Sequence, residues 1–134
     1  MSGARPFLDT NVLIYLLSGE VAKADRAEAL LAAGAVVSVQ VLNEFVSVAT
    51  RKHFLNITEV REVLAAVKAT CLVVDIDLDT HERALDIAER FGFMIYGALI
   101  LAAAMAAGCA TLYTEDLQHG QVIGSTTVRN PFVA

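Results

Sequence analysis

The sequence predicts one α/β domain with a mostly parallel sheet. Its 134 residues suffice for a domain with a real core, and 56% of them are hydrophobic. Short apolar runs typical of buried parallel strands alternate with stretches that have the apolar period of a helix. Strands that alternate with helices form βαβ units and hence a parallel sheet. We therefore expect a single domain over 1–134, with any site at the carboxyl ends of the strands.

The first half of the chain is predicted to begin with a strand that leads into a helix. In order, the expected elements are a strand over 5–8, helices over 12–17 and 20–33, a strand over 35–39, a helix over 40–51, and a further helix. Thr10 or Asn11 is expected to cap the first helix and Thr58 the last, because their side chains accept hydrogen bonds from free N–H groups. Gly34 should end the second helix.

The second half continues the alternation. We expect a strand over 71–76, a helix capped by Asp79 or Thr80 and closed by Gly92, a helix over 98–107 ended by Gly108, a strand over 110–113, and an edge strand within 126–132. The helix over 98–107 is apolar on nearly all sides, so it should be the central buried helix.

Composition limits the function. A net charge of −5 and a pI near 5 argue against binding nucleic acid by bulk electrostatics. They do not exclude a nuclease, because bound cations would neutralise acidic ligands, and Arg51 and Lys52 could still meet phosphates. No apolar run is long enough to span a bilayer and 1–6 holds no export segment, so a cytoplasmic protein is expected. Cys71 and Cys109 are interpreted as small buried hydrophobes without a disulfide.

Three acids lie where chemistry is expected in such a fold. Asp9 and Asp116 follow predicted strands, and Glu44 lies in the first turns of a helix. Magnesium and manganese prefer oxygen ligands, and carboxylates that converge on them can support phosphodiester hydrolysis. Taken singly, each acid also has an ordinary explanation: a helix cap for Asp9, a solvated helix residue for Glu44 and a loop residue for Asp116.

Other candidate sites are weaker. Asp75, Asp77 and Asp79 alternate like the opening of a calcium loop, but the required glycine and closing glutamate do not follow, so they indicate a strand end and a helix cap. The histidines are scattered without ligand neighbours and are interpreted as surface or structural residues: His53, His81 and His119.

Four words of the sequence together resemble a known family. They are Phe-Leu-Asp-Thr-Asn-Val-Leu-Ile-Tyr over 7–15, Asn-Glu-Phe over 43–45, Tyr-Gly-Ala-Leu-Ile over 96–100, and Leu-Tyr-Thr-Glu-Asp-Leu-Gln-His-Gly over 112–120. These words resemble the PIN-domain ribonucleases, in particular the VapC-like toxins of type II toxin–antitoxin pairs. The resemblance implies a three-layer α/β/α sandwich, a Mg²⁺ or Mn²⁺ site at the carboxyl edge of the sheet, and RNA as substrate. It also implies a cognate antitoxin as partner and, with the high apolar content, a homodimer.

The resemblance also assigns roles. Asp9, Glu44 and Asp116 match the acidic positions of the family: Asp9 and Asp116 would hold the metal, and Glu44 would complete its shell or position the attacking water. Asn11 and Thr114 match polar positions that orient the carboxylates.

Gly97 departs from the family pattern, which has aspartate at this position. No acid lies within 91–114 to replace it, and Glu115 is expected to point elsewhere. The chain is either a naturally weakened member or, as we favour, one in which the aspartate was replaced because an active toxin poisons a host without antitoxin. Two functions follow: an impaired endoribonuclease, or a catalytically silent PIN-fold module that docks the antitoxin and RNA.

Overall fold

The computed structural model describes residues 5–133, which form six strands and six α-helices. The strands are β1 (Phe7–Leu8), β2 (Ala35–Ser38), β3 (Cys71–Val74), β4 (Thr111–Tyr113), β5 (Val122–Ile123) and β6 (Thr126–Arg129). The helices are α1 (Thr10–Ile14), α2 (Val21–Ala32), α3 (Val39–Lys52), α4 (Ile57–Thr70), α5 (Leu78–Phe91) and α6 (Ile95–Ala106), and a 3-10 turn over Tyr15–Leu17 follows α1. The predicted α/β class is confirmed.

The six strands form one sheet in the order β3-β2-β1-β4-β6-β5. Every pair is parallel except β5 with β6, which is antiparallel. Helices α1 to α4 contact one another, α5 packs on α6, and α6 contacts β4 and β6, so the sheet lies between helices in a three-layer α/β/α sandwich. From β1 the chain proceeds outward to β2 and β3 and then returns to β4 on the other side of β1. The carboxyl ends of β1 and β4 therefore form a topological switch point.

Helix α6 is the buried helix that its composition predicts. Six of its residues are buried, and no single face is polar: Ala98, Ile100, Leu101, Ala102, Ala103 and Ala104. It begins at Ile95, three residues before the predicted start at 98, so Tyr96 and Gly97 belong to its first turn. This extension places the one position that departs from the family pattern on a helix rather than in a loop.

The predicted cap of α4 is wrong. Asn56, not Thr58, is the N-cap, and its Oδ1 accepts a hydrogen bond from Glu59 N at 2.8 Å. The Glu59 carboxylate accepts from Asn56 N at 2.9 Å in return. This reciprocal capping box satisfies two free N–H groups, whereas a cap at Thr58 would satisfy one, so the helix begins earlier.

The predicted cap of α5 is also wrong. Asp77 is the N-cap, where Asp79 or Thr80 was expected, and its Oδ1 accepts from Thr80 N at 2.8 Å. The backbone N–H and the hydroxyl of Thr80 both donate to Asp77 Oδ1. These two hydrogen bonds are the main reason why the pKa of Asp77 lies below its ordinary value. At the other end Gly92 adopts a left-handed conformation with φ of 72°, which confirms it as the residue that closes the helix.

The C-terminal strand is not the edge of the sheet. β6 pairs with β4 on one side, and β5, which the sequence analysis missed, pairs with it on the other and forms the edge. The two-residue β5 and the tight turn through Gly124, with φ of 59°, leave almost no strand period to detect. Cys109 is buried as predicted, whereas Cys71 is only partly buried.

Within residues 5–133, no single helix is long and apolar enough to cross a membrane. Helices α5 and α6, which lie at 120° to each other, would reach that length and composition only as a bent pair. The segment 1–4, on which part of the export prediction depends, lies outside the described residues.

Candidate active site

The switch point between β1 and β4 brings Asp9 and Thr114 together. Leu8 pairs with Tyr113 in the parallel register, so the residues that follow each strand are neighbours. The backbone N–H of Asp9 donates to the carbonyl of Tyr113 at 3.0 Å, and the hydroxyl of Thr114 donates to Asp9 Oδ2 at 2.8 Å. Both side chains are buried. Backbone pairing therefore fixes the first carboxylate of the site.

Asp9 is also the N-cap of α1, which corrects the expectation that Thr10 or Asn11 would cap this helix. Its Oδ1 accepts from Thr10 N at 2.6 Å. The ordinary explanation for Asp9 is thus correct as far as it goes, and it accounts for only one of the two carboxylate oxygens.

Thr114 is the centre of a hydrogen-bond network behind the carboxylate. Its hydroxyl oxygen accepts from Asn11 Nδ2 at 3.2 Å and from Asp116 N at 3.0 Å while its proton goes to Asp9. Asn11 Oδ1 in turn accepts from Glu115 N at 3.3 Å. The network ties the loop that carries Asp116 to the start of α1, as expected of groups that orient carboxylates.

Glu44 reaches the same place from α3. Ser38 at the end of β2 caps this helix by accepting from Val41 N at 3.2 Å, and β2 lies next to β1. Glu44 Oε1 accepts from the hydroxyl of Thr10 at 3.1 Å. The position of this acid therefore follows from the strand order and the direction of α3.

The three acids lie on the wall between two clefts. Asp9, Glu44 and Asp116 line both a first cleft of about 690 Å³ and a second cleft of about 540 Å³. Asp116 is exposed and Glu44 partly buried, so the cluster opens from the protein interior to solvent. The structure thus brings together the three acids that the sequence analysis selected.

The pKa of Asp9 is raised from 3.8 to about 6. Burial is the largest cause, and the charges of Asp116 and Glu44 add to it. Hydrogen bonds from Thr114 and Thr10 act in the opposite direction and fall short. A carboxylate in this position is short of positive charge, and a cation bound beside it would favour the ionised form.

The oxygen donors have the chemistry that a hard divalent cation prefers. Among residues 5–133, however, no group of three acid, histidine or cysteine side chains is close enough to form a complete metal site. Carboxylates without a cation repel one another, so they do not converge fully by themselves. The oxygen donors are thus of the type that a divalent ion prefers, but too few of them lie close together to form a complete metal site.

Comparison with known proteins decides the family. The model of the PIN domain family matches residues 7–123, which include β1, β4 and all three acids. The chain belongs to the PIN-domain family. No curated protein sequence matches the chain.

Solved structures from toxin–antitoxin systems resemble this chain over most of its length. A toxin–antitoxin complex from Klebsiella pneumoniae is 25% identical with a TM-score of 0.70, covering 95% of this chain and 98% of that one. VapBC2 from Rickettsia felis, bound to a DNA fragment from its promoter, is 20% identical with a TM-score of 0.67, covering 93% and 97%. VapC20 of Mycobacterium tuberculosis, a toxin that cleaves the sarcin–ricin loop, is 21% identical with a TM-score of 0.63, covering 83% and 89%. The fold is that of VapC-like PIN toxins.

Gly97 of this PIN domain lines the second cleft together with all three acids. It is the third residue of α6, and a Cβ built on it would meet only Leu117 Cδ2, at an ordinary contact distance of 3.5 Å. There is consequently room for a side chain at position 97, in the cleft that the acids also line. Within the described residues, no fourth acid lines this cleft.

Glu115 does not stand in for an acid at position 97. It lines the first cleft and not the second, and its Oε2 lies 4.0 Å from Lys23 Nζ. Lys23 also donates to the hydroxyl of Tyr15 at 3.1 Å, and Tyr15 lines the first cleft but not the second. Glu115 thus points elsewhere, as expected.

His53 lines a cleft although its place in the sequence did not predict this. His53 follows α3, and it lines the first cleft together with Lys52 and the acids. No sequence signal separated it from the other histidines, since its place depends on how α3 packs.

His119 has the structural role assigned to it, because its Nδ1 accepts from Asn130 N at 2.9 Å. Arg51, which was expected to be able to meet phosphates, does not line the first cleft and donates to Ser47 Oγ at 3.1 Å.

Asp9→Asn is expected to stabilise the metal-free protein at neutral pH. Folding raises the pKa of Asp9, so its contribution to stability is fully present below about pH 3.8 and is lost as the pH rises through about 6. The rise corresponds to on the order of 3 kcal/mol, which asparagine would not lose because it cannot ionise. Urea unfolding in EDTA at about pH 4 and about pH 7 measures the difference.

Asp25→Asn, at an exposed position of α2, is the control. A gain from Asp9→Asn that is equal at both pH values would contradict the argument.

Proposed function

We propose that this PIN domain is a divalent-metal-dependent endoribonuclease toxin of a toxin–antitoxin system whose activity is impaired by Gly97. The observation that carries the proposal is the common wall of the two clefts, where Asp9, Glu44 and Asp116 meet at the switch point beside Gly97. The similarity to a toxin–antitoxin complex supports the assignment as a toxin with an antitoxin partner, and the similarity to a toxin that cleaves the sarcin–ricin loop supports RNA as the substrate.

In this proposal Asp9 and Asp116 hold Mg²⁺ or Mn²⁺, because they follow two adjacent strands and line the same two clefts. Glu44 completes the shell or positions the attacking water, since it lines both clefts. Asn11 and Thr114 keep the carboxylates oriented through the network described above. Bound here, a divalent ion would supply charge neutralisation for the scissile phosphate and would favour ionisation of water.

The first cleft has the polarity to hold a nucleic-acid strand. Lys52 and His53 line it together with the acids. A chain with a net charge of −5 cannot attract RNA by its overall field, so local cations are needed to meet the phosphates that flank the cleavage point. Lys52 is the cation best placed for this, because it shares the cleft with the acids.

A second function is favoured by two observations. Because residues 5–133 hold no complete three-ligand group and position 97 lacks a side chain, the chain could act as a silent PIN module that binds antitoxin and RNA without cleavage. The two functions share the fold and the partner and differ only in turnover.

Gly97→Asp is expected to raise RNA cleavage by roughly a hundred- to a thousand-fold, the equivalent of about 2.7–4 kcal/mol for one preorganised electrostatic group. The fold should tolerate the change, because only Leu117 lies near the new Cβ and an acid in the first turn of a helix is favourable. Cleavage of a labelled RNA in Mg²⁺ or Mn²⁺ measures the rate, and titration calorimetry measures the expected tightening of Mn²⁺ binding.

Two variants make this comparison specific. Gly97→Asn has nearly the shape of the aspartate without its charge and should remain inactive. Asp9→Asn in the Gly97→Asp background is the blank for contaminating ribonuclease. Equal cleavage by the wild type and Gly97→Asp would show that position 97 is not part of the active site. Restored Mn²⁺ binding without cleavage would favour the silent module.

The cognate antitoxin is expected to place a basic side chain between Asp9 and Asp116. An acidic cleft beside apolar helices suits a segment with an apolar stretch and an arginine that pairs with a carboxylate. With a cognate antitoxin recovered by pull-down from the native host, Asp116→Asn should weaken the complex at low salt, and Asp25→Asn on exposed α2 should not. Calorimetry with the purified pair measures this, and equal affinities would place the antitoxin elsewhere.

A homodimer is expected, because large apolar side chains remain exposed on the described part of the chain. Examples are Val21, Leu78 and Met94, which are 70%, 73% and 85% exposed. Multi-angle light scattering at micromolar concentration should give twice the monomer mass of 14.3 kDa. A mass of one chain without partner would refute the dimer.

A further inference from the structure

A third depression, the Tyr96 groove, adjoins the acid cluster. Its volume is about 570 Å³, and it is lined by Val39, Gln40, Asn43, Glu44, Ser47, Asp75, Ile76 and Tyr96. Glu44 lines all three depressions, and Tyr96 lines both this groove and the second cleft. A group bound in the Tyr96 groove would therefore be the direct neighbour of a group bound at the acids.

The charge of the Tyr96 groove excludes phosphate as its occupant. Of the described residues, no lysine, arginine or histidine lines it, and Glu44 and Asp75 both contribute negative charge. The first cleft differs, because Lys52 and His53 line it. A neutral, polar and flat group fits the Tyr96 groove better than an anion does.

Tyr96 supplies an aromatic surface at the edge of the groove. Its side chain is 64% exposed although it lies in the first turn of the most buried helix. An exposed aromatic ring beside a cleavage site is the usual platform on which an unpaired base stacks.

Gln40 supplies an unused hydrogen-bond donor in the same wall. Its Nε2 atom is buried and has no hydrogen-bond partner among the described residues, so this donor meets a ligand in the groove once the terminal amide turns outward. A buried amide without a partner is costly, so a ligand that accepts its hydrogen bond would be favoured. Carbonyl oxygens and ring nitrogens of nucleobases are such acceptors, and Asn43 and Ser47 in the wall add further polar contacts.

We propose that the Tyr96 groove is a nucleobase-binding subsite. It holds one unpaired base of a single-stranded RNA, stacked on Tyr96 and hydrogen-bonded to Gln40, with the adjoining phosphodiester at the acids. The inference rests on the proposed function, since it takes RNA as the ligand, and it adds the means by which a strongly acidic site retains that ligand.

The test is RNA binding in the absence of cleavage. A short fluorescent single-stranded RNA is titrated in EDTA and low salt, and its anisotropy gives Kd. Tyr96→Ala should weaken binding roughly 5- to 150-fold, which is the affinity equivalent of about 1–3 kcal/mol for one stacked base. Tyr96→Phe should bind like the wild type, and Gln40→Met should bind roughly two- to tenfold more weakly. Phe54→Ala is the matched control, because Phe54 is 85% exposed and lines none of the three depressions. Circular dichroism confirms that each variant is folded.

The outcomes separate this inference from the proposed function. An abasic ribose-phosphate strand should bind the wild type and Tyr96→Ala equally. Equal binding of normal RNA by these two proteins would overturn the subsite, while cleavage by Gly97→Asp would leave the nuclease standing. A change of oligomeric mass in Tyr96→Ala with unchanged RNA affinity would also overturn it and mark the face as a protein interface. Absence of both RNA binding and cleavage in Gly97→Asp would overturn both proposals.

Discussion

The parallel pairing of β1 with β4 is the constraint on which the site depends. β1 has only two residues, Phe7 and Leu8, and both are completely buried. Their register with β4 leaves no freedom in where Asp9 emerges, and the Thr114 hydroxyl then determines the direction of its carboxylate. Because the strand is so short, its position depends on burial of these two side chains more than on backbone hydrogen bonds. A packing requirement thereby places the first acid of the cluster.

The same constraint has an electrostatic cost. A carboxylate held under Thr114 and beside Asp116 and Glu44 cannot turn toward water to relieve its desolvation, and its raised pKa reports this. Hydrogen bonds from Thr10 and Thr114 lower the cost without removing it. Packing alone does not require such a network, since an uncharged cap at position 9 would also start α1. A cluster that opposes stability is understandable if a cation completes it.

Much of this fold could be predicted from local pattern, and the errors have physical causes. Helix α6 was recognised because it is apolar all round, but its start was placed too late because glycine at 97 is a weak helix former. Burial of the neighbouring turns overrode that preference. The cap at Asn56 was missed although its sequence, with Glu59 three residues on, already contains a capping box. The two-residue β5 was too short to show a period.

Some residues of the site could likewise be predicted from the sequence, and others could not. Asp9 and Asp116 were predictable because they follow strands whose carboxyl ends must lie on one edge. Lys52 and His53 were not fully predictable, because whether the end of α3 faces the acids depends on the rotation of that helix about its axis. Tyr96 was recognised as part of the motif over 96–100, but its exposure could not be predicted. Nothing in the local sequence indicates which side of an all-apolar helix reaches solvent.

The amino end of α6 links these electrostatic facts. Its first turn, with Tyr96 and Gly97, borders the cleft that holds the acids, and Met94 at the N-cap position has no side-chain oxygen to bond the free N–H groups. The positive end of the helix dipole therefore faces the carboxylates and partly compensates their charge. An aspartate at 97 would gain from that dipole but would add a fourth charge to a cluster in which Asp9 already resists ionisation. Such a charge is tolerable only if a cation neutralises it. Glycine at 97 therefore lowers the repulsion among the carboxylates in the metal-free protein, and it also lowers the electrostatic attraction of the site for a metal ion.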